Sequence, residues 1–189
     1  MLARIIEEAT DAVAAAVRGV DNILDAVTGS VKDQVVNVLQ GTGEVAGTGV
    51  DAIASVASGA VKGAGQVGSS VTDTIAGTMS GVVKGVSQVG GDVISAVHEG
   101  AKGVVSATAE TGGDIGGAAV SAVQSAIKSA GDVGADTSEA AKSAVGGALD
   151  AATSVGGSAV ETVRSALLST AALPRDVIES ALKGSDDKK

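Results

Sequence analysis

A single period runs through the whole chain. Written in blocks of 22 residues it reads VAGTGVDAIASVASGAVKGAGQ from Val45, VGSSVTDTIAGTMSGVVKGVSQ from Val67 and VGGDVISAVHEGAKGVVSATAE from Val89, then continues from Thr111, Val133 and Val155. No insertion or deletion interrupts the frame, and each block is two elevens, so that seventeen elevens precede Lys188 and Lys189. Self-similarity at a fixed period marks units that cannot bury their apolar side alone and must stack or lie on something.

The eleven has a helical logic. Position 5 is apolar in fourteen of seventeen copies, among them Ile5, Val27, Val38, Val71, Val82, Val93, Val104 and Ile115. Position 9 is apolar in thirteen, including Val20, Val31, Ile53, Ile75, Val86, Val97 and Val163. Position 11 is never apolar. Position 7 is charged in eleven copies, tending to acid in odd elevens (Asp51, Asp73, Glu139, Glu161) and to base in even ones (Lys62, Lys84, Lys128). That alternation doubles the period. Apolar positions spaced four, four and three share one face of a helix, whereas a strand would alternate every second residue. Eleven residues close about three turns, so the face holds its direction along a straight helix. A β-solenoid of 22-residue rungs is the rival that the Val, Thr and Gly content allows, but the apolar spacing favours helix.

Glycine then divides the array. From residue 67, five consecutive blocks open with Val or Thr, then Gly, then Ser or Asp two positions on: Gly68 and Ser70, Gly90 and Asp92, Gly112 and Asp114, Gly134 and Asp136, Gly156 and Ser158. A Gly with positive φ ends one helix and a Ser or Asp caps the next. The spacing predicts helices of about 18 residues, roughly 27 Å long. Hinges are expected near 67–70, 89–92, 111–114, 133–136 and 155–158, within repeats spanning 50–176. Residues 1–40 read as an N-terminal amphipathic helical segment, 41–49 as a Gly-rich break, and 177–189 as a short helix with a polar tail. Gly59 with Gly63, and Gly81 with Gly85, fall inside the helices four residues apart, where the missing Cβ lets backbones approach closely. Each such glycine costs about 1 kcal/mol of helix propensity against Ala.

Composition limits the chemistry. The 189 residues include 35 Ala, 30 Val and 28 Gly, with no Phe, Trp, Tyr or Cys and one His. Disulfides, thiolate metal sites and cysteine nucleophiles are therefore excluded, and sites needing two histidines lack their parts. No cofactor or metal site, no small-molecule substrate and no enzymatic activity are expected. The net charge of −9, dispersed and without a basic cluster, disfavours nucleic acid and anionic lipid. The start, MLARIIEEATD, is too acidic for a signal peptide, and the longest uncharged stretch, Ile115 to Ile127, is thirteen residues, short of the roughly 20 apolar ones that span a bilayer. A cytoplasmic location, peripheral on a lipid surface at most, is expected. A compact monomer built without aromatics would be marginal, so another copy or an apolar surface is expected to complete the fold.

Three local patterns are better explained by the frame than by chemistry. Val35 to Ala46 could be a strand entering a dinucleotide turn through Gly41, Gly43 and Ala46, but the repeat passes unbroken through it and no βαβ units follow. His98, beside Glu99 and six residues after Asp92, has no convergent partner along a linear repeat and reads as a solvated surface side chain. Glu7 and Glu8 are favourable charges near a helix start.

Stretches such as GVVKGVSQVGGDVISAV and EGAKGVVSATAETGGDIGGAAV resemble the lipid-surface repeats of perilipins and synucleins in period and composition, nearly along the whole chain. That resemblance implies helices that form on a lipid or droplet surface, although this chain has fewer lysines and more net negative charge. Late-embryogenesis proteins are far more charged, and antifreeze helices fix Thr at one repeat position, which Thr42, Thr72, Thr74, Thr78, Thr108 and Thr137 do not.

The expected fold is all-α, an open array of amphipathic helices broken at Gly-rich joints, without a conventional globular core. The expected role is that of a non-enzymatic structural protein. Its apolar contact face (Val27, Val38, Ile53, Val71, Ile75, Val82, Val86, Val93, Val97, Val104, Ile115) would coat a droplet, granule or membrane. Alternatively, further copies would pack through Gly, Ala and Val faces into a bundle, solenoid, tube or filament; ice binding is a minor alternative. Deleting one whole block, Val89 to Glu110, is expected to preserve the array because it keeps the frame.

Overall fold

The computed structural model describes residues 23–42, 48–66, 70–171, 173 and 175–186, and every regular element among them is an α-helix. The helices are α1 (Ile23–Thr42), α2 (Thr48–Gln66), α3 (Val71–Gln88), α4 (Val93–Glu110), α5 (Ile115–Asp132), α6 (Thr137–Val155), α7 (Gly157–Ser169) and α8 (Arg175–Asp186). The glutamates at 7 and 8, most of the N-terminal segment, and Gly43 to Ala46 lie outside the described residues. The segment suggestive of a strand at Val35 is helical, and α1 continues through Gly41 to Thr42.

The joints are built from residues within a few positions of one another. Gly90, Gly112 and Gly134 take φ of 70°, 70° and 76°, the left-handed region open to glycine. The N–H of Gly91 then donates to the Val86 carbonyl and that of Gly90 to Ser87, closing the last turn of α3. The same pair of bonds recurs at Gly113 and Gly112, and at Ala135 and Gly134. On the far side of each joint the Asp92, Asp114 and Asp136 carboxylates accept from the first free N–H groups of α4, α5 and α6. Ser70 does so for α3. From α3 to α6 each block is thus one helix and one reversal of the chain; the joint expected at Gly156 and Ser158 differs, since Gly156 (φ 141°) precedes α7 without a side-chain cap and Ser158 lies inside that helix.

The Ser95 hydroxyl and N–H, with the N–H of Ile94, hold the Asp92 carboxyl below its ordinary value of 3.8, against a smaller upward push from burial. Because the folded pKa is the lower one, the cap contributes fully above the unfolded value and fades as pH falls through the folded value. Asp92→Ala should cost about 1 kcal/mol at neutral pH. The gap between wild type and variant in denaturant melts should close in acid. A gap independent of pH would show that the carboxylate charge is not what caps α4.

Helices pack on their second neighbours. In one layer α1 lies on α3, α3 on α5 and α5 on α7; in the other, α2 lies on α4, α4 on α6 and α6 on α8, and sequence neighbours meet across the layers. Gly77, Gly81 and Gly85 of α3 meet Val27, Val31 and Val35 of α1 in the same chain order, so helices within a layer run parallel. Two blocks therefore make one turn of a two-layer solenoid. Between the layers runs a seam of Val and Ala, with Ile53, Ile75 and Met79 its largest fully buried members in the first half of the chain. Each helix touches only near neighbours, so the core is a ribbon along the array, as in stacked repeat proteins.

Candidate interaction surfaces

The proposed contact face turns inward. Val27, Ile53, Ile75, Val82, Val86, Val97 and Val104 are all at most 2% exposed. Val38, Val93 and Ile115 are half-buried against the same core. Val71, on the first turn of α3, stands apart at 50% exposed. The expectation that an external surface or second copy must complete the fold is corrected here: helices of the same chain cover these valines. The physical reason is the short joint, which brings each helix back against the previous one. Apolar area then leaves water within the chain.

Small residues let the layers close. A methyl placed on Gly81 would lie 2.7 Å from the Thr28 carbonyl oxygen and from Val31 Cβ, and one on Gly85 would lie 3.0 Å from the Lys32 carbonyl and from Val35. Gly77 meets the Leu24 carbonyl and Val27 in the same way at 2.9 Å. In the second layer Gly103 rests on the Ala54 carbonyl and Gly147 on that of His98, too close for any side chain. Ser143, in the same layer, donates its hydroxyl to the Ile94 carbonyl 49 residues earlier at 2.7 Å. Gly59 and Gly63 are buried in α2.

Charged side chains remain outside and partly tie the second layer together. Lys62 of α2 reaches Glu110 of α4 at 2.6 Å, and His98 Nε2 of α4 lies 3.1 Å from Asp150 Oδ2 of α6. The histidine thus has a partner 52 residues away that no reading along one helix could supply. Its ring fits over Gly146, where a methyl would stand 3.4 Å from the ring. Asp51, Asp73, Glu139, Glu161, Lys84 and Lys128 at position 7 of the elevens are exposed. Position 11 divides: Gln66, Gln88, Glu110 and Asp132 face water, while Gly77 and Ser143 sit in helix contacts.

Two buried hydroxyls stand out. Thr74 and Thr78 of α3 are at most 1% exposed and their Oγ1 atoms have no hydrogen-bond partner, whereas buried Thr108 donates to the Val104 carbonyl at 2.9 Å. An unpaired buried hydroxyl costs about 1–3 kcal/mol. Thr74→Val and Thr78→Val should therefore each raise stability by about 1 kcal/mol in denaturant melts. Destabilisation by either change would reveal a hydrogen bond that these two threonines make in solution.

The remaining outer surface is hydroxyl-bearing, charged and interrupted. Among the described residues its exposed large aliphatics are Leu24, Val71, Val155 and Leu168, each on a different helix. A groove of about 150 Å³ crosses α3 between α1 and α5, lined mostly by polar residues such as Thr28, Ser80, Lys84, Lys128 and Asp132, with Leu24 and Ala76 its apolar members. Its lining lacks the apolar enclosure that small-molecule sites use. Among the described residues no three His, Asp or Glu side chains converge as a metal site, and no helix is long and apolar enough to cross a membrane.

These features define a helical repeat array whose contacts are spent on itself. The chain is similar to a de novo designed helical repeat protein, with a TM-score of 0.53 and 18% identity over 100% of this chain and 96% of that one. At that identity the likeness is one of fold. No protein-family model and no curated protein matches the sequence.

Proposed function

We propose that this chain is a non-enzymatic structural protein, a self-packed helical rod that holds its two outer faces a fixed distance apart and presents them to macromolecular neighbours. The observation that supports this reading is the burial of the valine face within the chain, leaving Ser, Thr, Asp, Glu and Lys outside. A droplet or membrane coat would need that face free, so lipid binding would require the layers to separate and forfeit the contacts at Gly81, Gly103 and Gly147. A cytoplasmic location belongs to the same reading.

Circular dichroism on the full chain tests it. Strong helical signal in dilute buffer, independent of protein concentration and unchanged by neutral or anionic vesicles, is the expected result. Helix that appears only with vesicles would transfer the chain to the lipid-coating class. Helix that grows with protein concentration would favour assembly between copies.

A further inference from the structure

The groove across α3 gathers hydrogen-bond donors from three stacked helices. Lys84 of α3 and Lys128 of α5 lie two blocks apart in sequence, so the layer sets them on neighbouring parallel helices, and both open onto this groove. Neither ammonium forms an ion pair among the described residues, whereas Lys62 and Lys102 pair with Glu110 and Glu99. Like charges on adjacent helices repel, and a bound anion would turn that repulsion into attraction.

Hydroxyls surround the two lysines. Ser80 lies one turn before Lys84, Ser125 and Ser129 flank Lys128 within one turn, and Thr28 comes from α1. None of these four hydroxyls has a hydrogen bond among the described residues, while Thr108, Thr153, Ser154 and Thr162 each donate to the carbonyl four residues earlier. Ser129 is 3% exposed and still lines the groove. A hydroxyl so nearly buried is costly without a partner, and the chain offers it none.

We propose that this groove binds a small phosphate-bearing molecule, whose phosphate oxygens accept from the Lys84 and Lys128 ammoniums and from the serine hydroxyls beside them. Two ammoniums and four hydroxyls supply more donors than a carboxylate can use, and match the several acceptor oxygens of a phosphate. Lysine binds phosphate as a point charge, so no apolar enclosure is needed. A groove of about 150 Å³ leaves room for a phosphate with a short organic group. Asp132 also lines the groove, four residues after Lys128. That order of charges is the weaker one along a helix, so an exposed pairing of the two yields to a dianion. With Asp25, the other carboxylate of the lining, Asp132 disfavours a second anionic group and suits a hydroxyl-bearing remainder.

Titration calorimetry on the full chain, in dilute phosphate-free buffer, tests the site with inorganic phosphate and with glycerol phosphate. Saturable binding of one ligand per chain is expected. Lys84→Ala and Lys128→Ala should each weaken it by about tenfold or more. Ser129→Ala should weaken it to a smaller extent, and Lys142→Ala, which removes the same charge from the other layer, should change nothing. Tighter binding of glycerol phosphate would identify a phosphate ester as the ligand; equal affinities would identify free phosphate. Binding of neither by a helical wild type overturns the proposal, and so does an equal loss from Lys84→Ala and Lys142→Ala, which would mean a diffuse ion atmosphere. A second measurement needs no variant: phosphate should raise the thermal midpoint of the wild type above its value in chloride of equal ionic strength. An unchanged midpoint counts against the site in the same way. A wild type without helical signal would remove the folded rod and the groove together, whereas a helical protein that binds neither probe removes the groove alone.

Discussion

Replacing Gly103 and Gly147 together by alanine should lower the thermal midpoint by on the order of 10 °C, although each change makes its own helix intrinsically stronger. Alanine in place of glycine gains about 1 kcal/mol of helix propensity. Against that, the added methyls would press on the carbonyl oxygens of Ala54 and His98, backbone atoms that cannot turn aside. Overpacking costs typically about 1–3 kcal/mol per site and should reach the top of that range here. Each kcal/mol moves the midpoint of a chain this size by about 2–4 °C. Gly29 and Gly65 supply the internal control, since a methyl at either would meet nothing within 4 Å. Their replacement by alanine should raise the midpoint by a few degrees. Calorimetry that finds the same sign for both pairs would remove close helix contact as the role of Gly103 and Gly147.

Val82→Asp should be the most damaging single change in the array. Val82 is fully buried on α3, and its Cγ1 would stand 3.4 Å from a methyl on Gly100 of α4. A carboxylate there has no partner and costs several kcal/mol, or takes up a proton to avoid the charge. Because α3 touches α1, α2, α4 and α5, its loss should release the N-terminal half of the rod while α6 and α7 remain folded. Hydrogen exchange read residue by residue should show that boundary. Val93→Asp, although it occupies the same repeat position, should do far less. Val93 is half-buried and opens α4, where an acid meets the positive end of the helix. Equal losses at 82 and 93 would mean that repeat position, and not place in the stack, decides burial.

The contrast between these two valines shows where reading along the chain succeeds and where it stops. All-helical structure is legible because the spacing of Val71, Ile75, Val82 and Val86 is set within one helix. Joints such as Gly90 to Asp92 are equally local: a left-handed glycine and a capping carboxylate act on groups two to five residues away. What covers a face is decided elsewhere. The contact of Ser143 with the Ile94 carbonyl and that of His98 with Asp150 span 49 and 52 residues. Nothing in an amphipathic pattern distinguishes a neighbour of the same chain from a lipid, because both supply apolar contact. The clue was in side-chain size: glycine at 81, 103 and 147 serves a backbone approaching it and serves no acyl chain.

The two-layer stack also gives the array a parity. The sequence repeats every 22 residues, yet a helix regains its own surroundings only after two blocks, because consecutive blocks belong to opposite layers. Removing Val89 to Glu110 preserves the frame but moves every later helix to the other layer. Ser125 would then stand where Gly103 meets the Ala54 carbonyl, and its Cβ has no room there. Removing residues 89 to 132 instead brings Gly147 to that carbonyl, and the contact survives. Preserving the frame is thus not enough for such a chain: which blocks are removed, as well as how many, decides whether a glycine still stands where two backbones meet.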